Sequence, residues 1–227
     1  MKPATYNLVA LLPMKAHSAR VMGKNFRLFA GKPLFRWILE TLLSIEEIEL
    51  VVINTDARTI LQKHGLTDSA RVLIRDRKPD ICGDFVSMNL VLADDLAAIN
   101  SQAYLMTHTT NPLLSRHTIR EALRKYHEGV AEGKVDSLFS VNRYQSRFYR
   151  ANGSPVNHDP KSLLRTQDLE PWFEENSNLY LFSRSSFANS NARIGMKPLL
   201  FETPRPESIA IDDQYSWNLA ERLFSVN

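Results

Sequence analysis

The sequence predicts an α/β fold with a mostly parallel central sheet, and three observations carry that prediction. Apolar runs of strand length recur along the chain, each ends in polar residues, and segments with apolar residues at helical spacing follow them. At 227 residues the chain is long enough to bury a core as one such domain, with room for a small elaboration.

Taken in order, residues 6–12 read as a buried strand, and residues 13–25 as a loop carrying Lys15, Arg20 and Lys24. Loop amides and cations at a strand's carboxyl end can surround a polyanion, so this loop reads as a phosphate site or as a solvated basic loop. Residues 34–43 repeat apolar positions every three or four and predict a helix with Trp37 in the core. Residues 49–56 form a second strand ending in Asn54, Thr55 and Asp56, where Asp56 either meets a ligand or metal or caps the next helix. A third strand at 71–74 leads to a charged loop at 75–80, and a long helix is predicted over 85–99, with Asp84 or Ser87 at its start and Asp94 and Asp95 on its polar face. Residues 103–107 form a fourth strand that opens into the polar platform 108–114, after which Ser115 caps a helix over 117–127. Residues 136–141 complete a fifth strand-helix unit. From 143 to 172 the chain is polar with interspersed aromatics, too long for an ordinary connection and in keeping with a lid or partner surface. Strands at 178–182 and 198–202 and a helix over 212–224 close it.

The bulk properties remove several function classes. A formal charge of +3 does not make the concentrated basic face that duplex binding needs, and the arginines between 143 and 165 are scattered among acidic and apolar residues, so no nucleic-acid partner is predicted. Cys82 is the one cysteine, which excludes an intrachain disulfide and a thiolate zinc site. No signal-peptide pattern and no apolar stretch near the ~20 residues of a span is present, which predicts a cytoplasmic protein with no membrane partner. Neither a nucleophile elbow, a P-loop nor a dinucleotide fingerprint occurs. What remains is basic loops with scattered carboxylates, a set suited to phosphate chemistry with a hard cation.

The first loop, Asn54-Thr55-Asp56, the Arg77 loop and the stretch 207–213, in that order from about Leu8 to Leu223, resemble the acylneuraminate cytidylyltransferases (CMP-sialic acid synthetases), which are related to the CMP-Kdo synthetases. The resemblance implies a three-layer nucleotide-binding fold with a small dimerisation or lid insertion at about 143–175. It implies a reaction that joins CMP from CTP to a nonulosonic sugar acid, releasing pyrophosphate, with Mg2+ as cofactor and a homodimer as the assembly.

Carried over by position, Pro13, Ser18, Lys24 and Asn25 match the family's loop, while Lys15 stands for arginine, Ala19 for lysine and Arg20 for glycine. The resemblance assigns catalysis to Lys15, Arg20 and Lys24, which neutralise the triphosphate, and CTP binding to Ser18, Asn25, Arg77 and Ser87. It assigns the sugar acid to His108, which replaces a glutamine, and to Thr110, Arg165 and Tyr180. Magnesium falls to Asp212, because Ala210 stands where the family has the other aspartate of a pair two residues apart. An alternative reading is a nucleotide or sugar-acid binding homologue on the same fold with impaired catalysis.

Overall fold

In a computed structural model that describes residues 5–18 and 20–226, residues 1–4, Ala19 and Asn227 lie outside the described part. The chain runs β1 (Tyr6–Leu11), the short antiparallel pair β2 (Leu28–Phe29) and β3 (Lys32–Pro33), α1 (Leu34–Leu43), β4 (Leu50–Thr55), α2 (Arg58–Lys63), β5 (Val72–Asp76), α3 (Met88–Ala98) and β6 (Ser101–Thr107). It continues through α4 (Arg116–Ala131), β7 (Ser137–Tyr144), β8 (Trp172–Phe182), α5 (Arg184–Ser190), β9 (Pro198–Glu202) and α6 (Gln214–Val226). Seven strands make one sheet in the order β5-β4-β1-β6-β8-β7-β9. All neighbours are parallel except β8, which runs antiparallel to both β6 and β7.

Alternation along the strands divides the core into two layers. Leu8, Ala10, Ile53, Leu105 and Leu181 face one way and pack with Phe35, Ile38 and Leu42 of α1, Leu61 of α2 and Ile119 and Leu123 of α4. Val9, Leu11, Val52, Tyr104, Tyr180 and Phe182 face the other way and pack with Leu92 and Leu96 of α3 and Phe187 of α5. Side chains of successive strand residues point to opposite faces, and burying each large aliphatic side chain contributes roughly 1.5–3 kcal/mol, so a helix layer on each face follows from these sequences. The predicted α/β fold with its mostly parallel sheet is therefore what the chain adopts.

A third cluster lies beside these layers. Phe29, Leu34, Ile211, Trp217 and Val21 bring α6 against the end of the basic loop, with Phe29 edge-on to Trp217 at 5.6 Å. This packing ties residues near 211 to those near 21.

Several local expectations change. The third helix begins at Met88 rather than 85, because Ser87 accepts the Asn89 N–H at 3.3 Å and supplies the cap, while Asp84 turns away. Asp95 is fully buried rather than on an open face. The last helix starts at Gln214, with Asp213 accepting the Ser216 N–H at 2.7 Å. Among the described residues no α-helix lies between β7 and β8, so the fifth strand has no helix partner of its own; an irregular stretch with one short helical turn at Thr166–Asp168 leads to β8, which starts at Trp172, six residues before the predicted strand. Beyond a register shift between Phe139 and Val141, β7 and the first half of β8 continue as a two-stranded ribbon. Among the described residues no helix is long and apolar enough to cross a membrane.

Candidate active site

The carboxyl ends of β1, β4, β5 and β6 open onto a cavity of about 600 Å3 lined by Lys15, Ser18, Arg20, Lys24, Asn25, Arg77, His108 and Thr110, with an apolar wall from Ile81, Met88 and Val91. Ligand sites in parallel α/β sheets belong at this edge because the strand-to-helix loops converge there.

The basic loop is held from three directions. Asp56 accepts the Ala16 N–H at 2.7 Å, so its carboxylate pins the loop rather than capping α2, whose start is served by Thr55 Oγ1 accepting the Ala57 N–H at 3.0 Å. Asn25 donates to the Lys15 carbonyl at 2.8 Å and accepts from the Thr109 hydroxyl at 2.6 Å, tying both ends of the loop to the platform after β6. Gly23 takes a left-handed φ of 60°, which glycine adopts without a Cβ penalty, and from it a short helical turn at Lys24–Phe26 sets Lys24 inward.

Beneath the loop lies a buried polar network. Arg77 donates to the Asn54 side-chain oxygen at 3.0 Å, to the Asn54 carbonyl at 2.8 Å and to the Met14 carbonyl at 3.2 Å. Asn54 in turn donates to Asp95 at 2.8 Å, and Asp95 pairs with Arg75, which also meets Asp94 at 2.9 Å. Burial pushes the Asp95 carboxyl up to about 6 against the pull of Asn54 and Arg75.

The cations are unevenly satisfied. Lys15 pairs with Asp84 at 2.6 Å across the cavity mouth, and this contact holds the Asp84 carboxyl below its ordinary range. Arg20 meets Asp212 at 2.9 Å. Lys24 donates to the Ile211 carbonyl at 2.6 Å and stands 3.5 Å from Asp212. Burial lowers the Lys24 ammonium below the usual lysine range, Asp212 opposes the shift, and Arg20 and Lys15 add to it. An anion entering among these three cations relieves their mutual repulsion, which is how a polyphosphate is favoured there. Burial together with the positive charges of Arg193 and Lys24 pushes the imidazole of cavity-lining His108 down to about 3. His108 is therefore neutral at physiological pH and offers hydrogen bonds rather than charge.

Of the residues singled out from sequence, Lys15, Ser18, Arg20, Lys24, Asn25, Arg77, His108 and Thr110 come together around this cavity, and Asp212 joins them through Arg20 and Lys24. Ser87 sits between the lining residues Val86 and Met88 as a helix cap. Arg165 stands apart, its side chain 72% exposed with both Asp168 carboxylate oxygens on it at 2.7 and 3.1 Å. Tyr180 is buried in β8, its hydroxyl bonded to Glu175 and to Ser177 at 3.1 Å. Sequence reasoning missed Asp84 as the partner of Lys15 and Arg193 as a neighbour of His108. The first could be suspected from a lone carboxylate facing a basic loop across a sheet edge; the second lies in a turn with no motif.

Among the described residues no group of three His, Cys, Asp or Glu is placed to hold a metal ion. A single carboxylate at position 212 fits Mg2+ only with phosphate oxygens and water as its other ligands, an arrangement this ion accepts because it keeps waters and uses one or two carboxylates.

The chain is similar to several known proteins. The N-acylneuraminate cytidylyltransferase of Oncorhynchus mykiss is 27% identical over 225 residues, 95% of this chain, and the chain spans 50% of that protein's length. The CMP-N,N'-diacetyllegionaminic acid synthase of Legionella pneumophila is 27% identical over 97% of each protein. A solved CMP:2-keto-3-deoxy-manno-octonic acid synthetase complexed with CTP superposes with a TM-score of 0.67 over 97% of this chain and 99% of that one, at 14% identity, a likeness of fold. The pattern of the cytidylyltransferase family matches residues 9–210, and the chain belongs to that family.

Proposed function

We propose that the protein transfers CMP from CTP to the anomeric hydroxyl of a sialic-acid-like, nonulosonic sugar acid. The observation that carries this reading is the convergence of Lys15, Arg20 and Lys24 on one cavity that is also lined by the neutral, polar His108 and Thr110. A triphosphate needs the cations, a hydroxylated sugar the neutral hydrogen-bonding groups, and the relatives named above are enzymes for such sugar acids.

In the proposed reaction the sugar hydroxyl oxygen bonds to the α-phosphorus of CTP, the bond to the pyrophosphate oxygen breaks in line, and the hydroxyl proton passes to water. Lys15, Arg20 and Lys24 neutralise the charge that accumulates on the departing pyrophosphate. Asn25 and Arg77 hold the loop and nucleotide in register, and the Lys15–Asp84 pair fixes Lys15 beside the phosphates. Neutral His108 orients the acceptor by hydrogen bonding, since an imidazole held at about 3 carries no charge at neutral pH and presents one N–H donor and one acceptor nitrogen. Magnesium, when bound, would sit on Asp212 and supply further neutralisation of the phosphates. The protein would act as a homodimer through residues 143–175, where Trp172, Phe173, Leu163 and Leu164 are exposed and Phe148 stacks on Trp172 at 5.4 Å.

Pyrophosphate release measured with CTP, magnesium and a panel of nonulosonic acids tests the reading. Turnover with at least one acid supports it. CTP binding without pyrophosphate release from any of them favours the impaired-homologue reading, to which Ala210 and the Arg20–Asp212 pair already lend weight.

A further inference from the structure

Arg193 lies in the turn after α5, outside the motifs that carried the family resemblance. Three contacts fix it. Its backbone N–H donates to Asn89 at 3.4 Å, which sets it against the first turn of α3, beside the cavity-lining Met88. Its guanidinium lies 3.9 Å from the centroid of the Tyr180 ring, and one terminal nitrogen meets Glu175 at 3.0 Å. The Tyr180 hydroxyl donates to the same Glu175 oxygen, and Ser177 steadies that hydroxyl at 3.1 Å. The side chain is 19% exposed, and among the described residues Nε and Nη1 have no hydrogen-bond partner. Strand pairing places Tyr180 opposite Met106, two residues before His108, so the cluster adjoins the cavity-lining residues Met88 and His108 without itself lining the cavity.

A stacked guanidinium with open donors and one counter-charge is pre-organised for a planar anion, because little side-chain freedom is left to lose when a carboxylate forms paired hydrogen bonds. Arg165 lacks these properties, being exposed and already paired with Asp168. We propose that Arg193 binds the carboxylate of the acidic co-substrate, with the Tyr180 ring as its platform and Glu175 as the charge that holds it in place. This inference rests on the function proposed above, and it assigns the acid-reading role to a residue the family resemblance did not supply.

The test compares wild type, Arg193→Ala, Arg193→Lys and Arg165→Ala, with N-acetylneuraminic acid and its methyl ester as probes. Binding is followed calorimetrically in the presence of CTP, and turnover by pyrophosphate release. Loss of a charge-assisted paired contact should weaken binding of the acid, or raise its KM, by about tenfold to a hundredfold in Arg193→Ala. The variant should lose the preference for acid over ester, keep wild-type CTP affinity as a sign of intact folding, and recover part of the preference in Arg193→Lys. A merely structural role would move CTP and both probes together, and that outcome overturns the proposal. So does the reverse pattern, in which Arg165→Ala loses the acid and Arg193→Ala keeps it. Turnover in the wild type with unchanged acid KM in Arg193→Ala sinks this inference and leaves the enzyme reading standing. Arg193-dependent acid binding without any pyrophosphate release does the opposite.

Discussion

Arg77→Ala is the perturbation with the clearest predicted magnitude. Arg77 is 8% exposed, and its guanidinium donates to three acceptors, two of them main-chain carbonyls on adjacent strand ends, Met14 after β1 and Asn54 in β4. Each abandoned buried acceptor costs roughly 1–3 kcal/mol, and because Arg77 borders the cavity, water can partly replace it, so the low end applies and the total is about 3 kcal/mol. For a chain of this size 1 kcal/mol moves the melting temperature by about 2–4 °C, so a fall of roughly 6–12 °C is expected. Calorimetry on the unliganded protein, paired with urea denaturation, reads the change; Arg77→Lys should lie between, since an ammonium keeps the charge but not the fork. A variant within about 1 kcal/mol of wild type that nonetheless fails to bind CTP would refute the strut argument, leaving Arg77 as a ligand contact alone.

Lys24→Met should weaken CTP binding by about tenfold or more in calorimetric titration, because a desolvated ammonium that a phosphate would stabilise is lost. The acid limb of stability should steepen in Asp95→Asn, as read from denaturation between pH 4 and 6.5. Asp95, raised from 3.8 to about 6, contributes stability at low pH that is lost as pH rises, whereas His108, lowered from 6.5 to about 3, contributes stability at neutral pH that is lost as pH falls; wild type partly cancels the two, and the variant leaves only the second. Ala210→Asp, which puts a second carboxylate two positions from Asp212, should tighten Mn2+ binding to the CTP-loaded protein in paramagnetic resonance titrations, and no change would mean that the two positions do not share an ion.

What the sequence made legible follows from how far each cause reaches along the chain. Strand runs such as Leu50–Thr55 and the Ser115 cap of α4 depend on neighbours a few residues away, and they appear where the pattern placed them. The cation loop was legible because its chemistry is concentrated in thirteen consecutive residues. Asp56 was ambiguous because its partner, the Ala16 amide, is 40 residues distant. Asp95 looked solvent-facing by helical period, and only Arg75 and Asn54, brought over it by β5 and β4, make its burial tolerable. Arg193 carries no local pattern at all; its meaning arises from a ring on β8 and an amide on α3.

The sheet also sorts its two ends by tolerance. Every group assigned to the nucleotide comes from the segments after the carboxyl ends of β1 and β5, and His108 and Thr110 follow β6, while the connections at the opposite end, such as Gly65 after α2 and the turn around Gly133 after α4, take no part in the cavity. A fluorophore, an affinity handle or an inserted peptide grafted onto the turn around Gly133 would sit a full strand length from the chemistry. That makes this turn the place to tether the protein for surface-based binding measurements without disturbing what is being measured.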